Sequence, residues 1–217
     1  MPASVLYMSM SLDGYIAGPD DEPGNPGGDG FGRLHEWYGD PQPPGAGPSK
    51  ASAEFLDEMN AAGAVLAGRR TVEQVGHWGG DSHGVPIFVP SHRPPGPSVA
   101  NYPLVTYVTD GIESAMAQAK AAAGDRNVLV HGAYTAQRAL EAGVLDELQI
   151  HQIPVLFGAG RVDLVDQLSV RPGRPEELPV RGDEPLVQPH EAVAAGVARF
   201  VMRTRDVPIE RHRHVEH

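Results

Sequence analysis

The chain contains no cysteine, which excludes a disulfide framework, thiolate metal sites and a cysteine nucleophile. No apolar run approaches the ~20 residues that a membrane-spanning helix needs. Residues 1–17 hold no Lys or Arg and include Asp13, so the start lacks the basic and apolar regions of a signal peptide, and a cytoplasmic protein is expected. Basic residues are few: 17 Lys and Arg against 28 Asp and Glu give a formal charge of −11. Such a surface repels nucleic acid and anionic membrane, so any anionic ligand requires a local basic pocket. Three motifs are also missing. Without GxGxxG the usual dinucleotide fingerprint gives no support, and without GxSxG or HExxH the hydrolase readings weaken. His212, His214 and His217 lie in a terminal tail and are assigned no metal or other function.

What is present reads as one globular α/β domain, expected over residues 1–206 with a tail at 207–217. The apolar run 5–10 predicts a buried first strand, and residues 11–18 turn through Asp13-Gly14. Residues 19–48 are crowded with Gly and Pro yet hold Phe31, Trp37 and Tyr38, which fits either an active-site lid or a surface loop pinned by aromatics. Beyond them, the patterns predict a helix over 49–61, a strand over 64–67, a short helix from Thr71, and strands over 86–90 and 104–109. A helix over 112–123, a strand over 128–130, a helix over 134–142 and a long strand over 146–156 follow. Strands near 178–188 and 197–204, joined by 189–196, would close the sheet as an antiparallel pair. The alternation implies a mostly parallel sheet covered on both faces, with ligands beyond the carboxyl ends of its strands.

Three such ends carry anion-friendly chemistry. Gly68-Arg69-Arg70-Thr71 offers close backbone approach, two guanidinium forks and a hydroxyl at a helix start. Ser91-His92-Arg93 follows the next strand, and His131-Gly132-Ala133-Tyr134-Thr135 places small residues where a strand enters a helix. Each alone reads equally as a solvated helix start, a polar turn or a tight connection. Together, after successive strands, they favour a dinucleotide.

In order and spacing these segments resemble the dihydrofolate-reductase-like superfamily, and within it the RibD C-terminal domain family, the reductase part of the bacterial riboflavin deaminase-reductase. The resemblance is carried by residues 10–18 (Met-Ser-Leu-Asp-Gly-Tyr-Ile-Ala-Gly), Gly68-Arg69-Arg70-Thr71, Ser91-His92-Arg93-Pro94, Val130-His131-Gly132-Ala133 and the stretch from Gly143 to Gly160. It implies a three-layer α/β/α fold, a homodimer and NADPH as cofactor. Arg69, Arg70, Thr71 and the Ser91, His92, Arg93 turn would lie near the adenosine phosphate and pyrophosphate. Gly132 and its neighbours would cradle the pyrophosphate, Ser9, Ile16 and Ala17 would flank the nicotinamide, and Asp13 would sit near the substrate as the catalytic candidate. Relatives usually carry Gly-Gly where this chain has Gly132-Ala133. Folate enzymes hold a carboxylate where Ser52-Ala53 stands, and riboflavin-pathway reductases follow Gly-x-x-Thr with Asp-Asp-Pro where Val72-Glu73-Gln74-Val75 stands. A small heteroaromatic substrate is expected, its identity open. The rival reading is a binding protein that holds a nucleotide or small ligand on the same scaffold without turnover.

Overall fold

The computed structural model describes residues 2–38, 50–162, 188–193 and 197–203. β1 (Ser4–Ser11), β3 (Ala64–Ala67), β4 (Ile87–Pro90), β5 (Val105–Val108), β6 (Val128–His131) and β7 (Glu147–Ile153) run parallel in the order β5-β4-β3-β6-β1-β7. Helices α1 (Lys50–Asn60), α2 (Arg69–Gln74), α3 (Ile112–Ala123) and α4 (Ala133–Glu141) connect them. β3, β4 and β6 are too apolar to leave either face in water, and helices cover both. On one face Leu6, Leu66, Phe88, Val128 and Val130 pack with Met116 of α3 and Leu140 of α4. On the other, Val65, Ile87, Val89 and Leu129 pack with Met59 of α1 and Val72 of α2. α3 sits close because its buried stripe is Ala115, Met116, Ala119 and Ala123, three of them alanine.

β10 (Val197–Arg203) runs antiparallel beside β7, and β9 (Gln188–Val193) lies outside it. The second expected strand, 197–204, coincides with β10, whereas β9 occupies part of the connection expected over 189–196, and of the first expected strand, 178–188, only Gln188 is among the described residues. Pro189 falls in β9, the outermost strand of the described sheet, the place in a sheet where proline is tolerated. Residues 178–187 and the tail from 204 lie outside the described residues. The sequence patterns also missed a small ribbon. β2 (Tyr15–Ala17) pairs antiparallel with β8 (Arg161–Val162), tying the turn after β1 to the loop after β7. β7 ends at Ile153 rather than 156, since Pro154 follows it.

Candidate functional site

β1 outruns its neighbour. β6 pairs with Ser4, Val5 and Leu6 alone, so the β6-facing edge of β1 past Leu6 opens into a cleft at the carboxyl ends of the parallel strands. The cleft is a cavity of about 960 Å³, near the top of the ~300–1,000 Å³ range typical of small-molecule and cofactor sites. The structure brings fifteen expected cofactor residues to its wall. Ser9, Ile16 and Ala17 line one side, and Gly68, Arg69, Arg70 and Thr71 line another. Ser91, His92 and Arg93, then His131, Gly132, Ala133, Tyr134 and Thr135, complete it.

Two strand-to-helix turns interlock at its centre. Ala67 of β3 lies beside His131 of β6, and the turns that follow touch each other. Gly68 faces the Thr135 hydroxyl so closely that a Cβ there would overlap it. A Cβ on Gly132 would meet Thr71 Oγ1 at 2.9 Å, and Gly132 also holds φ +90°, a conformation that L side chains rarely adopt. Ala133 is the first residue of α4 and has no positive φ, so its methyl is accommodated. The amino ends of α2 and α4 have no side-chain cap, leaving backbone N–H groups for another acceptor.

Around this centre the charge of the chain is inverted. Among the described residues the cavity is lined by Arg69, Arg70, Arg93, Arg138 and Arg161 against a single carboxylate, Asp21. The arginines differ in their commitments. Arg69 donates to Ser91 Oγ at 3.2 Å and to the carbonyls of Arg93 and Pro94 at 3.1 and 3.0 Å, so it fixes the 91–94 turn. Arg70 donates to the Asp21 carbonyl at 2.7 Å and lies 3.1 Å from its carboxylate, while Arg161 approaches the same carboxylate at 3.0 Å. Burial alone would raise the Asp21 carboxyl. The Gly27 N–H, Gln74 and the two guanidinium groups outweigh it and hold Asp21 below the ordinary carboxylate range. Neither Asp21 nor Gln74 was legible as a site residue in the sequence, because Asp21 meets Arg70, Gln74 and Arg161 only through the fold.

The expected catalytic residue has another place. Asp13 does not line the cavity. Its carboxylate accepts from Ser11 Oγ at 2.7 Å and from the N–H groups of Phe157 and Gly158 at 3.1 and 2.7 Å. The Ser11 hydroxyl first, then these two amides, hold it below its ordinary value. Asp13 therefore clamps the loop after β7 to the turn after β1 through three donors.

Residues from the 19–38 segment contribute to a wall of the cavity, while 39–48 lie outside the described residues. Asp21, Phe31, His35 and Tyr38 face the cavity, and Leu34, fully buried, packs with Ile153 to anchor the segment. Trp37 does not line it but packs against Phe55 and His151 at ring-centroid distances of 5.0 and 4.7 Å.

His151 itself was missed in the sequence. It lies on β7 opposite Ser9, lines the cavity and is 1% exposed. Burial, with a smaller contribution from Arg199, pushes its pKa down to about 3, and burial lowers His131 to about 4. The native state therefore refuses a proton that the unfolded chain accepts below ~6.5, so stability falls as pH drops through that value, by up to ~1.4 kcal/mol per pH unit for His151. Urea unfolding at pH 7, 6 and 5 should show this slope, and His151→Leu should reduce it by that amount. Equal slopes in the two proteins would contradict a neutral buried imidazole.

The chain matches the family model of the RibD C-terminal domain over residues 2–181. A search of curated proteins found no match. Among solved structures, a riboflavin biosynthesis protein assigned in Shewanella sp. PV-4 superposes with a TM-score of 0.61 at 22% identity, covering 93% of this chain and 98% of that one. The Thermotoga maritima diaminohydroxyphosphoribosylaminopyrimidine deaminase/5-amino-6-(5-phosphoribosylamino)uracil reductase gives 0.56 at 16% identity, over 93% of this chain but 56% of that longer one. Dihydrofolate reductase of Enterococcus faecalis, complexed with NADP(H), gives 0.50 at 13% identity over 93% and 96%. These likenesses establish a dihydrofolate-reductase-like fold, and with a family model matched over most of its length the chain belongs to the RibD C-terminal domain family.

Proposed function

We propose that this protein is an NADPH-dependent reductase that passes hydride to a small planar heteroaromatic substrate of pyrimidine or pterin type. The observation that carries the reading is the gathering of five arginines against one carboxylate around a single cleft, in a chain of formal charge −11. The wall fits a dinucleotide. Gly132 has no side chain to obstruct the uncapped start of α4, whose N–H groups suit a pyrophosphate. Arg93, exposed on a turn that Arg69 holds in place, suits a 2′-phosphate. Met8 and Ser9 line the cleft where β1 runs beyond β6, and the β6-facing backbone there suits a carboxamide. NADPH, when bound, supplies the hydride. The residues of this chain orient the two rings and exclude water, chiefly through Ile16, Ala17, Phe31 and Phe55. A homodimer, expected from the resemblance, belongs to the same proposal.

The binding-protein reading is kept for one reason: the expected acid, Asp13, is engaged outside the cavity. Stopped-flow measurement of NADPH oxidation against pterins, pyrimidines and quinones separates the two. Turnover with any of them is the expected result. Saturable NADPH binding with no oxidation across the panel would transfer the site to the binding-protein reading.

A further inference from the structure

Directly after α2 the chain makes a turn of the opposite hand. Gly76, His77, Trp78, Gly79 and Gly80 all hold positive φ, between +51° and +88°. Glycine takes this conformation freely, but residues with a Cβ avoid it and adopt it singly when they adopt it at all. Here two bulky residues adopt it in succession, His77 at φ +55° and Trp78 at φ +51°. Such strain persists only where the surrounding structure over-determines it, and it clusters where ligands are held.

Neither residue lines the cavity, yet each side chain leads to one of its anion-friendly turns. His77 is buried, and a hydrogen bond of 2.8 Å joins its Nε2 to the Tyr107 hydroxyl of β5. The Arg69 guanidinium lies over the Tyr107 ring, its Cζ 5.5 Å from the centroid and so within cation–π reach. Arg69 in turn holds the 91–94 turn through the Ser91 hydroxyl and two carbonyls. Trp78, the next residue, meets the ring of His131 instead, at 5.6 Å between centroids. His131 ends β6 and leads directly into Gly132. Packing alone accounts for neither residue. Trp78 is only partly buried, and an apolar side chain in place of His77 would need no partner. An extended or right-handed backbone at 77–78 would re-aim both side chains and break both chains of contact.

We propose that the left-handed turn 76–80 is a positioning element of the cleft: His77 sets the Ser91–Arg93 turn through Tyr107 and Arg69, and Trp78 sets the Gly132 turn through His131. This rests on the reductase reading in taking those two turns as the sites of the 2′-phosphate and the pyrophosphate.

General damage to the turn would weaken both cofactors alike in every variant, whereas the proposal separates two neighbouring residues. His77→Gly deletes the hydrogen bond and relieves the strain at one position, so the melting temperature should stay within about 3 °C. It should weaken NADPH about three- to tenfold, as one lost neutral hydrogen bond predicts, and NADH by less than about twofold. Tyr107→Phe keeps the ring under Arg69 and removes the hydroxyl. It should give the same split, and the double variant should lose no more than either single one. Trp78→Leu should weaken NADPH and NADH equally, by about threefold or more, and Trp78→Phe should recover most of that loss by restoring a ring against His131. Nuclear magnetic resonance of the cofactor-free protein gives an independent readout. The Arg69 Nε–H should exchange with water at least about threefold faster in His77→Gly and Tyr107→Phe but not in Trp78→Leu, whereas the His131 ring resonances should move only in Trp78→Leu. Equal losses of both cofactors in His77→Gly, a split between them in Trp78→Leu, or Arg69 and His131 signals indifferent to these substitutions would overturn the proposal. If NADPH fails to bind the unmutated protein while both signals respond as stated, the reductase reading falls and the positioning role stands. If NADPH is oxidised in the panel assay but the variants bind both cofactors as the unmutated protein does, the reverse holds.

Discussion

Arg93→Ala is expected to weaken NADPH binding by about ten- to a hundredfold while NADH affinity changes by less than about twofold, as loss of one charge-assisted bond of ~1.5–3 kcal/mol predicts. The choice of Arg93 comes from what the other arginines already do. Arg69 is spent on the carbonyls of Arg93 and Pro94 and on Glu73, which it meets at 2.7 Å. Arg70 is held by Asp21, and Arg138 pairs with Glu141 at 2.5 Å. Among the described residues Arg93 is tied only through its backbone, its N–H donating to Ser91 Oγ at 3.2 Å and its carbonyl accepting from the Ser91 hydroxyl at 2.8 Å. Its side chain is thus presented to the cleft by a turn that does not need it. Removing it should leave the turn standing and delete one charge. Arg69→Ala should behave differently, releasing the turn and weakening NADPH while also lowering thermal stability. Raising ionic strength should erode the NADPH preference of the unmutated protein, since an exposed pair is screened. Titrations of both cofactors at fixed salt decide the matter. Equal affinity for NADH and NADPH in the unmutated protein would remove the 2′-phosphate from this turn, and with it the main support for NADPH as the cofactor.

The arginines show how far the sequence could be read. Gly68-Arg69-Arg70-Thr71, Ser91-His92-Arg93 and the Gly132 turn were legible because each directly follows an apolar strand, and parallel strands bring their carboxyl ends together whatever their order. Their division of labour was not. Which guanidinium holds a turn and which faces the cleft depends on residues as distant as Asp21 and Pro94, and nothing local reports that. Asp13 illustrates the converse. Next to Gly14 it reads either as a turn residue or as a reacting group, and the amides that occupy it belong to Phe157 and Gly158, across the β1–β7 pair. His151 was hidden by its own strand. In a run of alternating polarity His151 falls in phase with Glu147 and Gln149 and reads as a solvent-facing residue, and only the aromatic wall contributed by residues 31–38 and α1 makes it part of a cavity.

The Gly132 turn supplies the second large effect. Gly132→Ala should weaken NADPH and NADH alike, by about tenfold or more, and should cost about 1–3 kcal/mol of stability, the usual cost of forcing a side chain into a backbone region reserved for glycine. Two constraints act together. The residue sits at φ +90° and ψ 129°, and the new methyl would lie 2.9 Å from Thr71 Oγ1, inside any normal contact. Relaxing either moves the start of α4, whose first N–H groups are the ones left for a pyrophosphate that both cofactors share. Thr71→Ala in the same chain should relieve the contact but not the dihedral strain, so it should restore part of the stability and little of the binding. Gly124→Ala is the control. It also replaces a glycine of positive φ, +65°, but at the end of α3 with nothing within 4 Å of the new methyl. It should lower the melting temperature by ~2–4 °C per kcal/mol lost and leave both cofactor affinities unchanged. If Gly132→Ala instead reduced NADPH affinity alone, the α4 turn would contact the 2′-phosphate rather than the pyrophosphate. If it lowered stability no more than Gly124→Ala and spared both cofactors, α4 would have no part in the site.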